Sequence, residues 1–522
     1  MAADTVETLY TSITLETLLI NNLYYDYSEL RSSWQLMHIL CSSTMRYCQS
    51  LIFTLIIGCV IFQDVSGVAR VRRSADESLR DTGTYVVHFD DSATDAQLQH
   101  FVMQLIGRSN RRAKFEAKII AEYLNIKCLS AKLSEKALKW VTHHKLVLEV
   151  KENEYIVFVS EIDSASSAKP GWHLDRVDQQ ALPLDQNYTA SQYTGKSVDV
   201  YVLDTGIHYN HSVFNGRAHY PGCDPIDKID NETREGEDCN GHGTHVAGLV
   251  GGNGTGLATS VTLFSVRVAN CRGRASEASL LDGLMCVREH RKSRNETRAI
   301  INMSLAGSAI MASVSKFVKE LIDDGVVVAA SAGNGRDDFR KLDYDSCKVY
   351  PAGYNGVINV AATDMNDNAL MGEFKGRSLI TNMGSCVDVF APGYSVFSSD
   401  ICIPNISCYN STANDGDECN TCQRFRTGTS QSSPIVTGAV ALLLEKCPNI
   451  TNTEIRNMLR TYLSRGRVRF CKAYKFLSEH NTLTAVNDVV GTTLNRLLFI
   501  GVLPYINCEE FHGQPLFTSI NY

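Results

Sequence analysis

The chain has 522 residues, 44% hydrophobic and 20% charged, with 36 Gly and only 11 Pro, a composition that excludes disordered, collagen-like and coiled-coil proteins. Lys and Arg number 50 against 57 Asp and Glu, a formal charge of −7 with no long basic block, so the electrostatic footprint of a nucleic-acid partner is missing. The 17 cysteines fit an oxidising compartment, where most would become crosslinks, and the length allows roughly two to four domains.

Residues 51–62 read LIFTLIIGCVIF, well short of the roughly 20 residues that span a bilayer as a helix. Met45 and Arg46 precede this run and Val65-Ser66-Gly67 follow it, which makes residues 45–67 a secretory signal with a charged start, an apolar middle and a small-residue exit. Translation is then expected to start at Met45, with residues 1–44 as an upstream gene-model extension or, alternatively, a long leader. The mature chain is expected to be secreted, extracellular and without a membrane span. Asn-X-Ser/Thr sequons at Asn187, Asn210, Asn231, Asn253, Asn295, Asn302, Asn405, Asn410 and Asn449 agree with passage through the secretory pathway. Asn302 lies in the apolar run AIINMSL and is expected to be buried and unmodified. The tetrad Arg70-Val71-Arg72-Arg73 reads either as a convertase cleavage site or as a basic exposed terminus.

Residues 84–160 have a pattern of their own: strand-like TYVVHF, helical DAQLQHFVMQLI and SEKALKWVTHH, then strand-like KLVLEV and YIVFV. Two helices on one face of an antiparallel sheet make a small α+β domain. The segment 161–171 contains SASSAKP, a small polar linker of the kind where proteolysis concentrates. The main domain is expected over residues 172–504, with 505–522 as a tail.

In that domain VDVYVL (198–203), LFSVRV (263–268), AIINMSL (299–305), VVVAA (326–330) and VINVAA (357–362) alternate with helical segments at 276–290 and 311–324. Nearly continuous β-branched runs suit strands buried on both faces, so the fold class is α/β, a parallel sheet with helices on both sides. The run SPIVTGAVALLLEK after Ser430 is apolar nearly all round and reads as a central buried helix.

Three reactive side chains fall where local geometry would present them. Asp204 directly follows the strand VDVYVL, His242 opens GHGTHVAG between glycines, and Ser430 in GTSQSSP opens the central helix. At that helix start backbone N–H groups and the helix dipole converge on a developing oxyanion. Asn334 in SAGNG follows another buried strand, placing a side-chain amide as a second oxyanion donor. An Asp-His-Ser chain order is one of the arrangements of the serine-protease triad. Any one of these residues alone would ordinarily be a cap; four ordered blocks carry the assignment.

The blocks DTGI, HGTHVAG, SAGN and GTSQSSP resemble the subtilase superfamily of serine proteases, and NMSLAG with GSCVDVFAPG resembles its proteinase K branch. VRVANCRGRAS, AGNGRDD and DECNTCQRFRTGTSQSS are most similar to proprotein convertases of the subtilisin/kexin type. The resemblance implies a subtilisin-like sheet preceded by an inhibitory propeptide at 84–160 that inserts its last strand into the cleft and is cut autocatalytically between Phe158 and Ser167. It implies Ser430 as nucleophile, neutral His242 as general base, Asp204 as its orienting carboxylate and Asn334 in the oxyanion hole, with activity falling as the pH drops below about 6 to 7. Ser304, Leu305, Ala306 and Gly307 would line the substrate cleft, with Ala306 in place of the glycine usual in that branch, where its methyl would either narrow the first specificity pocket or obstruct entry. Asp388 and the backbone carbonyl of Val357 would bind a structural calcium ion; the chemistry itself needs no cofactor. Bridges Cys239–Cys271, Cys347–Cys386 and Cys419–Cys422 are also implied.

Cys402–Cys408 is a further pairing expected from proximity, and Cys286, on the apolar side of a helix, is the candidate free thiol. His245, three residues after His242, reads as a packed histidine, since no third metal ligand follows at a helical or Cys-rich spacing.

Two functions stay open. One is a secreted endopeptidase acting on polypeptides. The other is a self-cleaving but latent protein that keeps its propeptide and binds a cell-surface receptor. With the sequence running on only briefly after TTLNRLLFIG, a Cys/His-rich carboxyl-terminal domain like that of the convertases is not expected, and the endopeptidase is the expected function.

Overall fold

A strand that is apolar on both sides needs a cover on each face. The computed structural model supplies two. It describes residues 68–508 except 74–76, 78–79, 112–113, 159–161, 164–167, 296, 309, 337–344, 375–376, 404–407, 410–417, 462–463, 466–467, 469–494, 501–502, 504–505 and 507. The expected signal and leader, most of the expected tail, the sequons at Asn405 and Asn410, and Cys41, Cys48, Cys59 and Cys471 lie outside the described residues.

The front part runs β1 (Arg70–Arg72), β2 (Arg80–Phe89), α1 (Asp95–Ser109), β3 (Ala117–Tyr123), β4 (Cys128–Leu133), α2 (Glu135–Thr142) and β5 (Val147–Phe158), with sheet order β1-β5-β2-β4-β3. Thr94 and Gln97 close a capping box at the start of α1, and Ser134 caps α2. Both helices cover one face, where Leu98, Phe101, Leu105 and Val141 pack on Tyr85, Val87, Leu129 and Ala131. The two closing strands expected from KLVLEV and YIVFV are one continuous strand, β5, and β3 and β4 are additional to the expected elements. The basic tetrad is no loose terminus: β1 pairs in parallel with β5, Arg70 opposite Glu149 and Arg72 opposite Lys151, and Arg72 forms an ion pair with Glu149.

After β6 (Ile162–Asp163) and α3 (Trp172–Asp178) come β7 (Asp199–Asp204), β8 (Ala218–His219), α4 (Pro225–Asp230), α5 (His242–Gly251), β9 (Thr262–Arg267), β10 (Arg274–Ser276), α6 (Glu277–Ser293), β11 (Ala299–Met303), α7 (Ala312–Asp323), β12 (Val327–Ser331), β13 (Asn334–Arg336) and β14 (Ile358–Thr363). The remainder is β15 (Met371–Phe374), β16 (Arg377–Thr381), β17 (Val389–Pro392), β18 (Val396–Ser399), β19 (Gln423–Thr427), α8 (Thr429–Lys446), α9 (Asn452–Thr461), β20 (Ser464–Arg465) and β21 (Leu497–Leu498).

The main sheet has the order β20-β21-β17-β14-β12-β11-β7-β9-β8 and is parallel except for the β20–β21 pair. Side chains alternate between its two covers. Val200 and Val202 of β7 enter a core with α5 and α8, while Tyr201 and Leu203 enter a core with α6 and α7. That second core also takes in Val86, Tyr123, Ile126 and Cys128 from the far face of the front sheet, so the two parts share one apolar interior. The sheet grows from β7 towards β9 in one direction and towards β11 in the other. This is a topological switch point, and it places a crevice at the carboxyl end of β7.

Among the described residues six disulfides pin the loops. Cys239–Cys271 and Cys347–Cys386 form, but the expected Cys419–Cys422 and Cys402–Cys408 pairs do not. Cys402 bonds Cys419 and Cys408 bonds Cys422, with Cα separations of 5.0 and 5.1 Å, because the strands β18 and β19 bring the two ends of their connection side by side. Cys286 is likewise no free thiol: it bonds Cys223. Cys447 bonds Cys508, and the free cysteine among the described residues is the buried Cys128.

Candidate active site

Asp204 ends β7 at the switch point, and the start of α5 is driven against it. Glycine is required at position 243, since a Cβ there would stand 2.1 Å from the Gly206 carbonyl oxygen. This close approach lets His242, the first residue of α5, place Nδ1 2.7 Å from Asp204 Oδ1, with both residues fully buried. The same Oδ1 accepts the Thr205 N–H at 2.8 Å. Asp238, one residue before Cys239, holds the helix start in place: it accepts the N–H groups of Asn240, Gly241 and Thr244 and the hydroxyls of Thr205 and Thr244.

Ser430 lies in the first turn of α8. Its hydroxyl donates to the Ser304 carbonyl at 3.0 Å, and the Ser304 hydroxyl donates to the Ser430 carbonyl at 2.8 Å. Pro434 explains the second bond. Proline has no N–H, so the Ser430 carbonyl loses its helical partner four residues on, and Ser304 supplies a donor in its place. Asn302 steadies Ser304 from below, donating to its hydroxyl at 3.0 Å while accepting from the Ser433 and Thr437 hydroxyls. Asn302 is completely buried, so its sequon is out of reach of glycosylation.

Asn334 opens β13 beside α8. Its Oδ1 accepts both the N–H (2.9 Å) and the hydroxyl (3.0 Å) of Thr429. An amide whose oxygen is held this way presents its nitrogen as the donor, beside Thr429 at the start of α8.

Two strands of the chain's front half pair with edges that flank Ser430. β10 pairs antiparallel with the end of β5, Arg274 opposite Phe158 and Ala275 opposite Val157. On the other side of the site β6 pairs with β19, Ile162 opposite Thr427, three residues before Ser430. The front part therefore reaches both flanks of the crevice; residues 159–161 lie outside the described residues. Ser304 and Leu305 are buried, and Gly307 exchanges two backbone hydrogen bonds with Tyr350 at 2.9 and 2.8 Å. Gly307 thus has both backbone groups committed within the chain. Ala306 faces Gly333, where a Cβ would come within 3.4 Å of its methyl.

Comparison with known proteins decides the family. The Subtilase family profile matches residues 195–487. The chain belongs to the subtilase family. It is 36% identical over 321 residues to the extracellular serine proteinase of Thermus sp. (strain Rt41A), covering 61% of this chain and 68% of that protein. It is 30% identical over 401 residues to proprotein convertase subtilisin/kexin type 9 of Rattus norvegicus, covering 75% of this chain and 51% of the convertase. Among solved structures, fervidolysin from Fervidobacterium pennivorans, a keratinolytic enzyme related to subtilisin, aligns over 84% of this chain and 63% of its own with a TM-score of 0.59 at 20% identity, a likeness of fold. The chain is accordingly a serine protease of the subtilase family.

This subtilase does not offer calcium the expected ligands. Asp388 is fully buried, and its carboxylate is taken by Arg456 Nη2 at 3.1 Å to both oxygens, by Arg460, and by the Asn359 N–H at 3.0 Å. Val357 is buried beside Tyr354. Two guanidinium groups in place of open oxygen donors do not fit a cation. Among the described residues no cluster of His, Cys, Asp and Glu is placed to hold a metal. His245 is a packed core histidine facing the Arg424 carbonyl, and burial, followed by the neighbouring His242, pushes its pKa down to about 3.

Three parts of the site lie outside the sequence reading. Thr429, next to Ser430, has a hydroxyl at a helix start as its only signal. Asp238 has Asx-type spacing before a Gly-flanked helix. The edge strand Arg274–Ser276 is too short for any periodicity to show.

Proposed function

We propose that this subtilase is a secreted serine endopeptidase that first cuts its own chain between Phe158 and Ser167 and then hydrolyses polypeptides. The observation that carries this reading is the buried Asp204–His242 pair at the switch point, together with Ser430 at the start of α8 and the Thr429-anchored Asn334 amide. Ser430 Oγ attacks the peptide carbonyl and passes its proton to His242 Nε2, and Asp204 stabilises the imidazolium that forms. For this step the Ser430 hydroxyl turns from the Ser304 carbonyl towards His242. The Asn334 amide and the Ser430 N–H, at the positive end of α8, receive the oxyanion. Collapse expels the amine, which takes the proton from His242, and water then cleaves the acyl-enzyme by the same steps in reverse.

Secretion is supported by the sequons: Asn187, Asn210, Asn231, Asn253, Asn295 and Asn449 are exposed. Among the described residues no helix is long and apolar enough to cross a membrane.

The shared interior of the front sheet with α6 and α7 favours a second reading, in which the cut front domain stays bound and the protein acts by binding a cell-surface receptor. Besides the apolar contacts, Asn153 of β5 bonds Ser276 and Ala278 at the start of α6, and Lys151 pairs with the buried Glu277 at 2.9 Å. Labelling of the purified secreted protein with a serine-directed fluorophosphonate separates the two readings. A trans-acting endopeptidase is labelled on Ser430 and cleaves a peptide library. A latent protein is labelled only after the front domain is removed, and labelling at a residue other than Ser430 overturns both.

A further inference from the structure

Asp388 is the buried carboxylate at which the family resemblance implies a calcium ion, and the structure gives it different company. It stands just before β17, two residues after the Cys347–Cys386 bridge. Its backbone and side chain are both tied to Asn359: the Asp388 N–H donates to the Asn359 carbonyl at 2.9 Å, and Asp388 Oδ2 accepts the Asn359 N–H. The counter-charge comes from α9. Arg456 and Arg460 are four residues apart, hence on one face of that helix, and both guanidinium groups reach the carboxylate. Asn452 fixes the other end of α9 by donating to the Ile322 and Val326 carbonyls, both at 2.9 Å.

We infer that Arg456 and Arg460 are the resident cation of Asp388, so that the docking of α9, and no metal, neutralises this carboxylate and secures β17. A buried carboxylate must be paired, and here one negative charge meets two positive ones, leaving a local excess of positive charge that repels a divalent ion. Arg496 adds to that excess: burial first, and then Arg460, hold its guanidinium below the usual range against the opposing pull of Asp388. The clamp bears on the active site through β17, because the Ala391 and Pro392 carbonyls at its end both accept the Ser432 hydroxyl, at 3.0 and 3.1 Å, two residues past the nucleophile.

The test is thermal unfolding of the full secreted chain in chelator and in calcium, for wild type, Asp388→Asn, Arg460→Gln and the Asp388→Asn/Arg460→Gln double variant. The clamp requires any calcium-induced shift in Tm to be the same in wild type and Asp388→Asn. It also requires Arg460→Gln to lower Tm equally in chelator and in calcium, and the double variant to lose less than the sum of the two single losses. A calcium shift that disappears in Asp388→Asn would overturn it. Arg460 is 31% exposed, so its variant is expected to fold even where Asp388→Asn does not. A Tm of Arg460→Gln that calcium restores to the wild-type value would overturn the inference on its own.

Discussion

Ser430 and Ser304 exchange two hydrogen bonds, hydroxyl to carbonyl in each direction, at 3.0 and 2.8 Å. The pair couples the start of α8 to the loop after β11, and it exists because Pro434 removes the helical donor that would otherwise satisfy the Ser430 carbonyl. Ser304→Ala is expected to leave that carbonyl without its side-chain donor and the Asn302 amide without its acceptor, at a cost of about 1–3 kcal/mol. Restoring the missing N–H with Pro434→Ala should shrink this cost. Urea unfolding of the two single variants and the double variant checks the coupling, and additive losses would contradict it.

Asn334 is oriented by Thr429, so the two residues should fail in different ways. Asn334→Leu removes an oxyanion donor and is expected to lower kcat by roughly 10²–10³-fold with KM little changed. Thr429→Val keeps the backbone N–H to Asn334 Oδ1 and loses only the hydroxyl bond, so its loss in kcat should be much smaller. Steady-state kinetics on one peptide substrate, or single-turnover self-cleavage where no substrate in trans is turned over, measures both.

Acid should destabilise the fold through its buried histidines. Burial pushes His173 and His211 down to about 4 and His245 to about 3, whereas an unfolded imidazole titrates near 6.5. Between those limits these three imidazoles together bind up to three more protons in the unfolded chain than in the folded one, offset by about one that the folded chain holds at Asp178, whose carboxyl burial raises to about 6, so stability falls as the pH drops from about 6.5 towards about 4. The net slope from these groups is about 3 kcal/mol per pH unit. Urea unfolding at several pH values across this window gives the slope directly, and a flat profile would show that these histidines are not buried neutral.

On the reading in which the cut front domain stays bound, Asn153 is expected to help hold it. Its amide donates to the Ser276 hydroxyl and its carbonyl accepts the Ala278 N–H, so it caps α6 from the neighbouring sheet. Asn153→Leu leaves those groups without their partner and should weaken the bound front domain by about 1–3 kcal/mol, or roughly 5- to 150-fold in Kd. Exchange of the cut front domain against an added labelled copy, followed by size-exclusion chromatography, reads the change.

Asp204, His242, Ser430 and Asn334 were legible in the sequence because each sits in a short block whose geometry is local: a carboxylate after a buried strand, a histidine between glycines, a serine at a helix start. The core strands were legible for the same reason, since a β-branched run announces itself. Partners far along the chain were not. AKIIAEY and CLSAKL become β3 and β4 only through pairing with each other and with β2. Nothing in the spacing of Cys402, Cys408, Cys419 and Cys422 ranks one pairing above another before β18 and β19 come together. Asp388 looked like a ligand because its segment resembles one, while its real partners lie 68 and 72 residues away on α9. The i, i+4 spacing of Arg456 and Arg460 marked one face of a helix and gave no sign of what that face would meet.

The central claim, that Ser430 with His242 and Asp204 forms a working triad, is tested most directly by amino-terminal sequencing of secreted wild type and Ser430→Ala. Wild type should carry a new amino terminus between Phe158 and Ser167, and Ser430→Ala should remain a single chain through that segment. If Ser430→Ala is cut there as completely as wild type, the triad is not the catalyst and the account is wrong.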